Sequence, residues 1–189
     1  MNSSKKGFTL VELLVVIGIL AILTAAVVVV LNPAELLKQS RDAQRLSDFD
    51  ALRSAISLYL STASSPLFNA NVSGAYTELT GGASCHGMTA GGACAARPVT
   101  AVDGTGWVAI NFNELTGVGL SSPVSALPTD PTNSGNYYYA AAFDATNKYY
   151  ELDSILESSK YGGATGRMAT DGGSSTTLYE VGNAPGLAL

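Results

Sequence analysis

Lys6–Leu31 reads KGFTLVELLVVIGILAILTAAVVVVL, and this stretch decides the architecture. From Phe8 to Leu31 the apolar run is interrupted only by Thr9, Glu12, Gly18 and Thr24. At about 1.5 Å rise per residue, a helix over this run is long enough to cross a hydrocarbon core of ~30 Å. One carboxylate, Glu12, sits near its start. An acid in a helix of this kind is a liability in lipid, so its presence points to a helix whose final home is a protein assembly that gives Glu12 a partner.

Outward from that helix, the chain has room for one long amphipathic helix and one compact domain within its 189 residues. The formal net charge is −5, and beyond residue 60 the cations are Arg97, Lys148, Lys160 and Arg167 against a majority of acids. That balance argues against a nucleic-acid surface. A Gly-, Ser- and Thr-rich, sparsely charged domain with two cysteines fits an extracytoplasmic setting. A removable secretory signal is disfavoured because the apolar run exceeds ~15 residues, carries Glu12, and offers only Leu23-Thr24-Ala25 as a poor cleavage site. The positive-inside rule is ambiguous, since Lys5 and Lys6 precede the span while Lys38, Arg41 and Arg45 follow it.

Asn32-Pro33 predicts a kink, because proline lacks an amide donor and its ring opposes the carbonyl four residues back. From 32 to 61 an amphipathic continuation is expected, with Leu36, Leu37, Ala43, Leu46, Phe49, Leu52, Ile56 and Tyr59 as its apolar stripe. Arg41, Asp42, Arg45 and Asp48 are assigned to its solvated face. Residues 62–189 form the head. Residues 62–106 read as a long, loosely regular region, Trp107–Phe112 as a strand, and Tyr137–Phe143 with Lys148–Leu152 as a hairpin around Asp144-Ala-Thr-Asn147. Ile155–Tyr161 is a short helical turn or a further strand, and Leu178–Val181 a last strand. The tyrosines at 137, 138, 139, 149, 150, 161 and 179 are read as strand packing, with alternate rings in the core and the others at subunit contacts.

Cys85 and Cys94 bracket a Gly-rich loop. A disulfide there is favoured and adds roughly 2–3 kcal/mol; a metal site including His86 is the rival, and it lacks a complete four-ligand set. Asn71-Val-Ser73 is a formal glycosylation sequon and equally an ordinary loop tripeptide. No nucleophile motif, phosphate loop or dinucleotide fingerprint is present, and His86 is the only histidine, so catalysis is not expected.

The junction Lys5-Lys6-Gly7-Phe8-Thr9-Leu10-Val11-Glu12-Leu13-Leu14 resembles the class III leader of type IV pilins and of the pseudopilins of type II secretion. The resemblance implies an α+β fold: a long N-terminal helix, transmembrane in its first half and amphipathic in its second, packed on a C-terminal antiparallel sheet. It implies a leader of residues 1–7, cleavage by prepilin peptidase between Gly7 and Phe8, and methylation of the new Phe8 amine. It further implies that Glu12 pairs with the amine of a neighbouring Phe8 and sets the axial register of a filament. The partners would be identical or related subunits, the peptidase and the membrane assembly machinery. The precursor would be a single-pass inner-membrane protein and the product an extracellular filament. Loss of Lys5 and Lys6 moves the formal charge from −5 to −7. A weaker resemblance, to the DP-containing segment of major pseudopilins at Leu127–Gly135, admits calcium with Asp130, Asp144, Asp153 and Asp171 as candidate ligands; otherwise no cofactor is expected. The cysteine pair lies mid-chain, unlike the C-terminal pair of many pilins. The rival from another class is a membrane-anchored extracytoplasmic binding protein that never polymerises.

Overall fold

The computed structural model describes residues 7–68, 73–80, 84–163 and 165–189. Lys5 and Lys6 of the leader, and Asn71 and Val72 of the sequon, lie outside the described residues. The chain divides into two compact units, Met1–Leu37 and Lys38–Leu189.

In the first unit, helix α1 spans Leu10–Leu31, and none of its residues is buried within the chain. Leu, Val, Ile and Ala fill it almost completely. The β-branched run Val27–Val30 is no strong helix former in water, and its apolar character rather than its propensity accounts for it here. Thr24 relieves its own polarity by donating its hydroxyl to the Leu20 carbonyl at 2.8 Å. The helix stops where Asn32 turns left-handed, at φ 40° and ψ 74°. Asparagine tolerates that conformation better than most residues, and Pro33 is pre-set for a new first turn. Helix α2, Pro33–Thr62, restarts at once, with the amides of Glu35 and Leu36 donating to the Asn32 carbonyl at 3.0 and 3.3 Å.

In the second unit, the greater part of α2 lies on a five-stranded sheet. Its strands are β1 (Gly74–Thr77), β2 (Ala95–Ala96), β3 (Ala140–Asp144), β4 (Tyr149–Ser154) and β5 (Tyr179–Gly182), in the order β2-β1-β3-β4-β5. A short helix α3, Ser159–Gly162, follows β4. The sheet is mixed: β1–β3, β3–β4 and β4–β5 are antiparallel, and β1–β2 is parallel. The fold is thus α+β, with one parallel edge pair in a sheet expected to be wholly antiparallel. That edge is only two residues long, so the mismatch involves few ladder bonds.

Alternation along the strands separates two cores. Tyr139, Ala141, Phe143, Tyr150, Leu152, Tyr179 and Val181 face Phe49, Leu52, Ile56 and Tyr59 of α2. Ala75, Ala140, Ala142 and Tyr138 face the other way, under Cys85 and Met88. Small alanines on that outer face let the loop carrying the cysteines approach the sheet closely.

The hairpin forms with its connection at Ala145–Lys148, the short helical turn after Ile155 is α3, and the last strand is β5. Three expectations are corrected. Trp107–Ile110 and Phe112 are buried, but among the described residues the segment contributes only isolated bridges, Phe68 to Ile110 and Asp103 to Asn111, before a 3-10 turn over Phe112–Val118. Within 62–106, read as loosely regular, Gly74–Thr77 is an inner strand of the sheet. On α2, Leu36, Leu37 and Ala43 are exposed, whereas Asp42 and Arg45, assigned to the solvated face, are completely buried. The reason is periodicity: Asp42, Arg45, Phe49, Leu52, Ile56 and Tyr59 alternate three- and four-residue steps and share one face.

Candidate processing and assembly site

At the N-terminus, Phe8 is 81% exposed. Nothing lies within 4 Å of where a Gly7 side chain would begin, so packing within the chain does not require glycine there. Thr9 caps α1 and forms a capping box with Glu12. The Thr9 hydroxyl accepts from the Glu12 amide at 3.2 Å, and Glu12 Oε2 accepts from the Thr9 amide and hydroxyl, both at 2.8 Å. Each partner satisfies a backbone donor that the first turn leaves orphaned. Both bonds to Glu12 fall on the same oxygen, which leaves Oε1 able to accept from another group. The sequence signal for this device is Thr9-x-x-Glu12, a threonine followed three residues later by a glutamate. It places the carboxylate at the positive end of the α1 dipole, one turn from Phe8.

In the second unit, a buried ion network joins α2 to the loops at the end of the sheet. Arg45 Nε and Nη2 donate to the two oxygens of Asp130 at 2.6 and 2.9 Å, a fork-to-fork pair. Arg45 Nη1 reaches Asp42 at 2.8 Å and Glu157 at 2.7 Å. Arg41 adds a second cation to Glu157. Asp42 in turn accepts from the amides of Glu157 and Ser158, fixing the entry to α3. Burial opposes the charge on Arg45, but its bonds to Asp130, Glu157 and Asp42 outweigh that and raise its pKa. The Arg41 guanidinium, aided by Arg45 and Thr132 against partial burial, holds the Glu157 carboxyl down at about 2.

Nearby, Glu78 Oε1 accepts from the amides of Asp130 and Tyr139 at 2.8 and 3.0 Å. Burial nevertheless pushes its carboxyl up to about 7.

The aspartates considered for calcium are mostly committed elsewhere. Asp130 pairs with Arg45 and accepts from the Thr132 and Asn133 amides. Asp144 caps the hairpin connection through Thr146 and Asn147. Asp171 accepts from the amides of Gly173 and Glu180. Asp153 instead groups with Glu151 and Glu180, neither of which was singled out from the sequence; one oxygen of each lies within 4.8 Å of the others. Their positions on β4 and β5 put them on one sheet face, a juxtaposition that only strand register reveals.

Cys85 and Cys94 are joined in a disulfide, with Cα atoms 5.6 Å apart. His86 stacks on Tyr138 at 4.1 Å between ring centroids and contacts the Tyr138 carbonyl through Nε2 at 3.1 Å. The rival metal reading of Cys85, His86 and Cys94 therefore loses its thiolates. Of the tyrosines, Tyr139, Tyr150 and Tyr179 enter the helix-facing core, while Tyr138 supports the disulfide loop.

Against known proteins, residues 2–28 match the family described as the prokaryotic N-terminal methylation motif. The chain therefore carries the class III signal peptide of type IV pilins and pseudopilins, followed by an α+β unit in which α2 packs on a mixed sheet. No curated protein and no solved structure matches the chain. The motif, continued by the apolar α1, supports a type IV pilin-like, membrane-anchored precursor of the kind processed by prepilin peptidase.

Proposed function

We propose that this chain is a structural subunit of a type IV pilus or related extracellular filament, polymerised through α1 after removal of residues 1–7. The observation that carries the reading is the methylation motif at residues 2–28 running directly into an apolar helix with no buried residue of its own. Such a helix is acceptable in lipid before assembly and among other helices afterwards.

Cleavage between Gly7 and Phe8 would remove Lys5 and Lys6, the charges that hold the helix start at the cytoplasmic surface. Gly7 would let the backbone lie extended in a protease cleft, and Phe8 would become the methylated N-terminus. The new amine would be a cation at the edge of an apolar bundle. Glu12, already oriented by Thr9, would offer its Oε1 to the Phe8 amine of an adjacent subunit. Desolvation makes an unpaired charge costly there, so register would be set by penalising every arrangement in which amine and carboxylate fail to meet.

Incorporation of Glu12→Ala subunits beside wild-type subunits tests this role. The variant is expected to insert in the membrane and be cleaved, yet to be depleted from sheared filaments at least tenfold relative to its membrane pool. Equal representation in both fractions would make the carboxylate incidental. A chain found only in the membrane, with no filament fraction at all, would favour the anchored binding protein.

A further inference from the structure

Glu78 directly follows β1 and continues its pairing past Ala140 to Tyr139. Its amide donates to the Tyr139 carbonyl at 3.3 Å, and its carboxyl Oε1 accepts from the Asp130 and Tyr139 amides at 2.8 and 3.0 Å. Those bonds fix the carboxyl and leave Oε2 for another partner. Among the described residues Oε2 has none, although Glu78 is only 4% exposed. A second buried acceptor, Asn133 Oδ1, is bare as well. Native folds rarely leave such atoms without a donor.

Both residues line one cavity of about 190 Å³. Asn133 comes to it from the loop after Asp130, where it turns left-handed at φ 40° with its amide donating to Asp130 Oδ1 at 3.1 Å. Asparagine tolerates that conformation better than most residues. Trp107 forms a buried wall, and its indole Nε1 donates to the Pro128 carbonyl at 3.1 Å, so its one donor is already engaged. The mouth carries Val99 with the exposed Thr80, Thr100 and Thr129. The pocket thus leads from solvent, along an apolar wall, to two residues with bare oxygens.

The donor set that these oxygens lack selects the occupant. At about 30 Å³ per water this volume has room for several molecules, and a cavity of ~150 Å³ can hold a benzene-sized ligand. Calcium takes about 6–8 oxygen ligands, so two bare oxygens are too few for it. An anion finds no cation among the lining residues, and the acids Asp130 and Asp48 act on Glu78. A guanidinium is held best by both oxygens of one carboxylate, and Oε1 already serves two amides. An ammonium carries three rotatable donors, which can meet acceptors on separate segments.

We propose that this pocket binds a small aliphatic primary amine in its ammonium form, with the nitrogen on Glu78 Oε2 and Asn133 Oδ1 and the alkyl part against Trp107 and Val99. Occupancy ties the end of β1 to the loop after Asp130. The site does not rest on the filament reading, since every residue in it belongs to the second unit and none to α1.

The test titrates the isotope-labelled full chain in detergent micelles with n-butylamine hydrochloride at pH 8 and constant ionic strength, followed by nuclear magnetic resonance. The amide signals of Asp130, Asn133 and Tyr139 and the Trp107 indole signal should shift together and saturate. The expected Kd is in the range of ~10⁻⁴–10⁻² M, ordinary for a ligand of about five heavy atoms. 1-Butanol keeps the tail without the charge, and tetramethylammonium keeps the charge without N–H donors; each should bind at least ~tenfold more weakly. Glu78→Gln keeps an oxygen for the Asp130 and Tyr139 amides and turns an NH₂ donor toward the cavity, so its affinity should fall at least ~tenfold. Between pH 6 and 8.5 the wild-type affinity should rise roughly tenfold, because burial pushes Glu78 up to about 7 and its ionised form is the stronger acceptor. If Glu78→Gln fails to fold, Asn133→Ala replaces it, and the wild-type titrations decide independently. A pocket filled by water alone would give no saturable shift with n-butylamine. That result, equal binding of either control ligand, an affinity unchanged between pH 6 and 8.5, or undiminished binding in both variants would each overturn the site. Filament formation is not read in this experiment, so failure here leaves the assembly proposal standing.

Discussion

Replacing Arg45 by alanine would remove the side chain that joins Asp42, Asp130 and Glu157 inside the second unit. Arg45 is completely buried, as are its partners Asp42 and Asp130, and Glu157 is nearly so. The cost of Arg45→Ala is not the worth of the salt bridges themselves, because bringing the ions out of water already offsets much of their attraction. It is the penalty of leaving Asp130 and Asp42 charged without their cation, about 3–5 kcal/mol. Amides of Thr132, Asn133 and Ser158 still solvate the two acids, which places the expected loss toward the lower end. For a unit of this size, about 3 kcal/mol corresponds to a fall of roughly 6–12 °C in melting temperature. The assay is thermal unfolding of the full chain in detergent, followed by near-ultraviolet circular dichroism from the buried Trp107 and Tyr139. A double-mutant cycle with Asp130→Ala should show coupling of at least ~1 kcal/mol, because Asp130→Ala removes one of the acids stranded by the first change. A destabilisation below ~0.5 kcal/mol, the value typical of a solvated surface arginine, would refute the buried network.

Four further outcomes follow from the same contacts. Glu157, held at about 2 against an ordinary 4.5, contributes stability that is complete above its ordinary value and is lost as pH falls through about 2; Glu157→Gln should flatten the acid limb of a melting-temperature profile between pH 5 and 2. Glu78, pushed by burial to about 7, has the opposite sign, so its contribution is complete below pH 4.5 and lost as pH rises through 7; Glu78→Gln should lose less stability between pH 5 and 8 than the wild type in parallel melts. Phe49→Ala, at a completely buried position touching Tyr139 and Tyr179, should cost about 3–5 kcal/mol in denaturant unfolding. Reduction of Cys85–Cys94, or the paired Cys85→Ser and Cys94→Ser change, should cost roughly 2–3 kcal/mol and raise proteolysis within 85–94, while leaving the protection of β3 and β4 amides intact.

How far these features could be read from sequence depends on what each residue's environment is made of. Lys5–Leu31 was legible because a membrane-length helix needs no tertiary context, and because Gly7, Phe8 and Glu12 sit at fixed offsets from it. The hairpin was legible for a similar reason: aromatic strands and an Asp-capped connection are local signals. Asp42 and Arg45 read as solvated because they are charged, although their spacing continues the Phe49–Tyr59 stripe. Their burial depends on Asp130 and Glu157, which lie far away in sequence. β1 was missed because Gly74–Thr77 is short and carries little apolar pattern; its strand character comes from pairing with Ala140–Phe143. Trp107–Phe112 shows the converse, a partly alternating segment that reads as a strand but whose backbone makes only isolated bridges among the described residues. Glu151, Asp153 and Glu180 became a group only when the β4–β5 register set Asp153 opposite Glu180.

The central claim, that α1 is released from its leader and built into a filament, is tested most directly by intact-mass and N-terminal analysis of the mature chain from sheared surface material. The account predicts a chain that begins at Phe8 and carries one methyl group on its amine. A filament-free fraction with Met1 retained, or a chain cut near Ala25, would contradict it.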